Sequence, residues 1–164
     1  YYRINTLGKR CEILKEVNPF FRNYQGRIEE MKKADLSEEE QLKVAMEWLG
    51  DCSRLELVAE NTEWYLVQEG YHYAGELFEC TSKKEERLYC AVKEFECGVG
   101  LLPYFQESKN AKDIFASQVR LGRRLAKSYK ETEDWNKAFY YINTTMDYML
   151  SAKGTVIRES GKKP

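Results

Sequence analysis

Apolar residues return every three or four positions along nearly the whole chain, the period of an amphipathic α-helix rather than the alternation of a strand. From about Thr6 to Val17 the stripe is Leu7, Cys11, Leu14 and Val17. Asn18-Pro19 then supplies a cap followed by proline at a first helical position, and Phe21, Tyr24, Ile28 and Met31 carry a second helix to about Ala34. Ser37-Glu38-Glu39-Glu40 is a capping box that opens a third helix, with Leu42, Ala45, Leu49 and Cys52 facing inward. Two readings follow. Gly50-Asp51 ends that helix and Ser53 with Glu56 caps a fourth, from about 54 to 68; alternatively one helix runs through to about Gln68.

Further helices are expected at about 71–81 and 84–102, the latter with Leu88, Val92, Phe95, Val99 and Leu102 on one seam. Pro103 and the polar residues 106–110 mark a connection. The last two helices are expected at about 111–132 and 135–152, divided by Glu131-Thr132-Glu133-Asp134, with a frayed tail at 153–164. The predicted fold class is all-α: antiparallel helical hairpins, seven to eight helices in all, in a single domain over 1–164. The chain starts Tyr1-Tyr2-Arg3 without an initiator methionine, which reads as a segment of a longer protein.

Self-similarity sharpens this picture. Tyr129, Trp135, Ala138, Ile142 and Thr145 recur at identical gaps as Tyr65, Tyr71, Ala74, Phe78 and Thr81. Each set places an aromatic before a break, a second just after it, and a small residue one turn on. A small residue lets two antiparallel helices approach, and flanking aromatics fill the space beside the contact. Tyr65, Tyr71, Tyr129 and Trp135 are therefore expected in the core. Hairpins are expected at about 54–82 and 111–152.

On these residues the stretch LAKSYKETEDWNKAFYYINTT resembles a tetratricopeptide repeat (TPR) unit, through Leu125, Ala126, Tyr129, Trp135, Ala138 and Ile142. The upstream copy is weaker, with Asn61 and Thr62 where the family prefers leucine and a small residue, and residues 83–110 lack the pattern. The resemblance implies a short TPR-like solenoid or bundle acting as a scaffold for protein binding, with the first helix of each hairpin lining a groove.

Charge then suggests where a partner would sit. The formal net charge is −1, so no strong global field draws nucleic acid or membrane, and recognition must rest on local asymmetry. Arg120, Arg123, Arg124, Lys127 and Lys130 supply it on one helix. The resemblance implies that Arg120, Arg124 and Lys127 face the groove, with Arg120 and Arg124 at positions where carboxylate-clamping members carry basic residues. Upstream, Glu56, Glu60 and Glu63 stand where such a clamp needs lysine and asparagine, so a complete clamp is not expected. The expected partner is an acidic or phosphorylated protein segment. RNA or single-stranded nucleic acid through the same helix is the alternative, and an architectural, homodimerising scaffold a third. The plainer reading is a solvated basic face.

Other chemistry is thin. Glu69 and His72 have the ExxH spacing of di-iron bundles, but His72 is the only histidine and Gly70 falls at the expected turn, so a surface or capping histidine is expected. No phosphate loop, HExxH or GxSxG occurs; neither an enzyme nor a cofactor is expected. The five cysteines form no CxxC pair and read as reduced thiols of a cytoplasmic or nuclear protein. There is no apolar run long enough for a membrane span, and the sequon at Asn143 sits in a helical pattern. Among 12 tyrosines, Tyr140, Tyr141 and Tyr148 cannot all point inward, so the last helix is expected to be covered by neighbouring parts of a longer protein.

Overall fold

The computed structural model describes residues 29–30, 33–105, 109 and 111–160, and for residues 62, 105 and 151–160 the backbone alone. The first two expected helices fall almost wholly outside these residues, as does 161–164. The described residues are all-helical: α1 (Glu38–Glu56), a 3₁₀ turn (Asn61–Glu63), α2 (Trp64–Glu79), α3 (Lys84–Phe105), α4 (Ala111–Glu131) and α5 (Trp135–Ser160). Contacts group the chain into two compact units, residues 1–97 and 98–164, and each is described by itself.

In the first unit the capping box forms as expected: Ser37 Oγ accepts from the Glu40 amide at 3.2 Å, and Glu40 Oε2 accepts from the Ser37 amide at 3.1 Å. The expected break at Gly50-Asp51 does not occur. Ala45, Trp48, Cys52 and Leu55 form one buried stripe straight through it, and their burial outweighs the roughly 1 kcal/mol that glycine costs inside a helix. Ser53 caps nothing; its hydroxyl donates to the Leu49 carbonyl at 3.2 Å. Nor does the helix continue to Gln68. It ends after Glu56, and Asn61 adopts φ 52°, a left-handed conformation that asparagine tolerates better than most residues.

A second correction concerns the upstream hairpin. Seven to eight helices are expected, five or six of them over residues 37–152; the described residues hold five α-helices, and α2 runs unbroken across Glu69-Gly70. Tyr65, Tyr71, Ala74 and Phe78 thus lie on a single helix, and their spacing encodes no turn. The reason is again a continuous buried stripe, Val67, Gly70, Tyr71, Ala74, Leu77 and Phe78. Tyr71 is buried as expected, whereas Tyr65 is exposed. The fully buried Trp48 pins α1 to α2, its indole N–H donating to the Gly70 carbonyl at 3.0 Å.

The α2–α3 turn is held by side chains. Thr81 Oγ1 donates to the Phe78 carbonyl at 2.8 Å, and Glu38 Oε1 accepts from the Ser82 amide at 2.8 Å. The Ser82 hydroxyl, with the Ser82 amide, holds the Glu38 carboxyl below its ordinary pKa. Along α3, Lys93 pairs with Glu56 at 3.2 Å and Arg87 with Glu79 at 2.7 Å. The buried apolar side chains of α3 are Cys90, Phe95, Cys97 and Leu101, while Val99, expected on the seam, is exposed. Pro103 does not end the helix, which runs on to Phe105 despite the missing amide donor.

The second unit centres on the α4–α5 hairpin, which falls where the sequence puts it. The buried face of α4 is Ala111, Phe115, Gln118, Leu121, Gly122, Leu125 and Ala126. Opposite lie Ala138, Tyr141, Thr145 and Tyr148 of α5. Gln118 occupies the space left by Gly98 of α3, where a Cβ would collide with its amide, and it hydrogen-bonds the Tyr148 hydroxyl. The helix α5 extends to Ser160, eight residues past the expected end at 152.

Candidate functional site

The turn that separates α4 from α5 is a Schellman motif. Glu133 takes the left-handed position with φ 60°, its amide donates to the Lys130 carbonyl at 3.0 Å, and the Asp134 amide donates to the Tyr129 carbonyl at 2.9 Å. Asp134 then caps α5, accepting from the Lys137 amide at 3.3 Å. The chain reverses between Glu131 and Trp135, which fixes how the two helices face each other.

Ala138 is 2% exposed, the close-approach position expected of it. Tyr129 stacks on Tyr141 with ring centroids 5.6 Å apart and planes 2° from parallel, and Lys137 Nζ lies 5.2 Å from the Tyr129 ring centroid. Trp135 departs from expectation. It is 50% exposed, because it points to the side of α5 that α4 does not cover. Ile142 is likewise largely exposed. Of the three tyrosines of α5, Tyr141 and Tyr148 are buried and Tyr140 is exposed. Burial, with Tyr140 nearby, pushes the Tyr148 phenol up to about 12.

The five cations Arg120, Arg123, Arg124, Lys127 and Lys130 are all exposed. At 100° per residue they fall within about a third of the helix circumference, opposite the buried stripe. Among the described residues none of them pairs with a carboxylate; Arg120 donates to Ser117 Oγ at 3.2 Å. The five do not share one surface feature. Arg123 lines a groove of about 350 Å³ together with Ala126 of α4 and Ile142, Thr145, Met146 and Met149 of α5. Arg120, Arg124 and Lys127 point to solvent and do not line it.

The repeat-based reading missed this groove. Its signal was in the sequence, as Trp135, Phe139, Ile142, Met146 and Met149 follow gaps of four, three, four and three. A parallel series, Ala138, Tyr141, Thr145 and Tyr148, is the one buried against α4. The helix α5 therefore has two apolar seams, and among the described residues of its unit only one is covered.

The remaining candidates resolve simply. His72 is exposed and lies between two carboxylates, Nδ1 at 3.1 Å from Glu94 Oε1 and Nε2 at 3.3 Å from Glu76 Oε1. Gly70 is buried inside α2, not at a turn. Burial raises the Glu69 carboxyl, and no group of three or more metal-competent side chains occurs among the described residues. Cys52, Cys90 and Cys97 are buried free thiols and Cys80 is an exposed one. Burial pushes Cys90 and Cys97 up to about 12 and Cys52 higher. No helix among the described residues is long and apolar enough to cross a membrane.

Comparison with protein-family models, with curated proteins and with solved structures finds no match to this chain.

Proposed function

We propose that the α4–α5 hairpin is a TPR-like helix-turn-helix unit of a non-enzymatic protein-interaction module, and that the basic face of α4 holds an acidic or phosphorylated segment of a partner protein. One observation carries the reading: five cations on one side of α4 are exposed and, among the described residues, unpaired. A guanidinium free of intramolecular carboxylates is available to make bidentate bonds to a carboxylate or phosphate. The buried thiols accord with a reducing compartment, cytoplasm or nucleus.

The test is binding of a fluorescein-labelled oligoglutamate peptide and of a phosphoserine peptide, followed by anisotropy. The double variant Arg120→Glu/Arg124→Glu should bind at least ten-fold more weakly with an unchanged circular dichroism spectrum. Unchanged affinity removes Arg120 and Arg124 as the site. Tighter binding of an oligouridylate than of either peptide, with a steep salt dependence, assigns the face to RNA instead. Loss of all binding on dilution, together with a dimer by light scattering, favours an architectural scaffold.

A further inference from the structure

The exposed seam of α5 is the largest feature that the charge-based reading leaves unused. Trp135, Phe139, Ile142, Met146 and Met149 lie along one side of the helix with Leu150 beside them, and each is at least two-fifths exposed. Scattered surface apolar residues need no explanation, but six in one continuous stripe mark an interaction surface. Their spacing in fours and threes is that of a helix face meant to meet another helix. Between this seam and α4 runs the groove that Arg123 helps to line.

The groove lining also includes a residue with an unpaired hydroxyl. Thr145 is 4% exposed, and its Oγ1 has no hydrogen-bond partner among the described residues. A threonine within a helix ordinarily returns its hydroxyl to the carbonyl four residues earlier, as Thr144 does to Tyr140 at 2.8 Å. Thr145 does not, and an unpaired buried hydroxyl costs on the order of 1–3 kcal/mol. That hydroxyl is closed to solvent, so its cost falls on the fold rather than on a bound partner.

Charge selects the occupant. From Trp135 to Leu150, α5 itself has one carboxylate, Asp147, so a second copy docking through this seam brings almost nothing to neutralise Arg123. A helix with an apolar ridge and carboxylates on its flank answers the apolar seam and the guanidinium together. Methionines suit such a ridge, because an unbranched thioether adapts to the shape laid against it.

We infer that the α4–α5 groove docks an acidic amphipathic helix of a partner protein, its apolar ridge along Ile142, Met146 and Met149 and a carboxylate on Arg123. This rests on the acidic-partner reading of α4 and moves its centre from Arg120 and Arg124 to Arg123.

The experiment uses the full chain and three labelled probes. One is a helical peptide of leucine and glutamate with leucines at heptad spacing, the second has the same composition with that spacing scrambled, and the third is oligoglutamate. The heptad probe should bind at least ten-fold more tightly than the scrambled one. Met146→Glu and Arg123→Glu should each erase that preference while circular dichroism is retained. Thr145→Val, which keeps shape and removes the unpaired hydroxyl, should raise the unfolding midpoint while the preference for the heptad probe persists. If heptad and scrambled probes bind alike and Met146→Glu changes neither, the groove is overturned while the basic face of α4 survives. If none of the three probes binds, both readings fall.

Discussion

Replacing Glu133 with glycine should stabilise this protein. Glu133 sits at φ 60° in the turn between α4 and α5, where the Cβ of an L-residue crowds the following carbonyl at a cost of about 1–2 kcal/mol. Glycine escapes that crowding but loses more backbone freedom on folding, roughly 0.5–1 kcal/mol relative to alanine. The two terms leave a net gain of about 0.5–1 kcal/mol. Loss of the side chain itself is nearly free. It is exposed and, among the described residues, makes no hydrogen bond or ion pair, and its charge lies between the negative end of α4 and the positive end of α5. Both backbone bonds of the turn, Glu133 N to Lys130 O and Asp134 N to Tyr129 O, are kept in the variant. For a chain of this size the gain corresponds to a midpoint about 1–4 °C higher. Urea unfolding followed by far-ultraviolet circular dichroism measures it, with Glu133→Val as the opposite control, since a β-branched residue at positive φ is strongly disfavoured. A glycine variant no more stable than the parent, or a valine variant equal to it, would show that the turn is not left-handed at this position.

Two glycines should respond in opposite directions. Gly50→Ala, with nothing within 4 Å of the added Cβ, should stabilise by up to about 1 kcal/mol, whereas Gly98→Ala should destabilise by about 1–3 kcal/mol because the buried Gln118 amide must give way; chemical unfolding distinguishes them. Trp48→Phe should cost about 1–3 kcal/mol, since it strips the indole donor from the Gly70 carbonyl and leaves a void among Ala45, Cys52 and Tyr71, and equal midpoints would exclude that pin. Mass spectrometry after brief alkylation should find Cys80 modified first and Cys52, Cys90 and Cys97 protected in the native state. Burial lifts Cys90 and Cys97 from 9.0 to about 12, so the unfolded chain releases those protons first. Stability should therefore decline as pH rises through that window, and the Cys90→Ala variant should decline less steeply.

The sequence by itself determined what local periodicity and local chemistry control. The capping box at Ser37, the α4–α5 hairpin with its break at residues 132–134, and the inward position of Ala138 all follow from side chains that act within one or two turns. The basic stripe from Arg120 to Lys130 was legible for the same reason, because helical spacing alone places those residues on one side. Tertiary packing decided the rest. Gly50 and Gly70 each look like helix ends, yet the buried faces around them, Trp48 with Cys52 and Val67 with Tyr71, hold α1 and α2 straight. An equal spacing of aromatics at Tyr65–Tyr71 and Tyr129–Trp135 therefore marks one helix in the first case and a hairpin in the second. The difference lies in the break residues, Glu69-Gly70 against Thr132-Glu133-Asp134, which form a Schellman turn only in the latter. Two apolar seams on α5 could be read from the sequence, but not which one α4 would cover. That choice fell to Tyr141, Thr145 and Tyr148, where Tyr129 stacks and Gln118 bonds, and it left Trp135, Ile142 and Met146 facing outward beside Arg123.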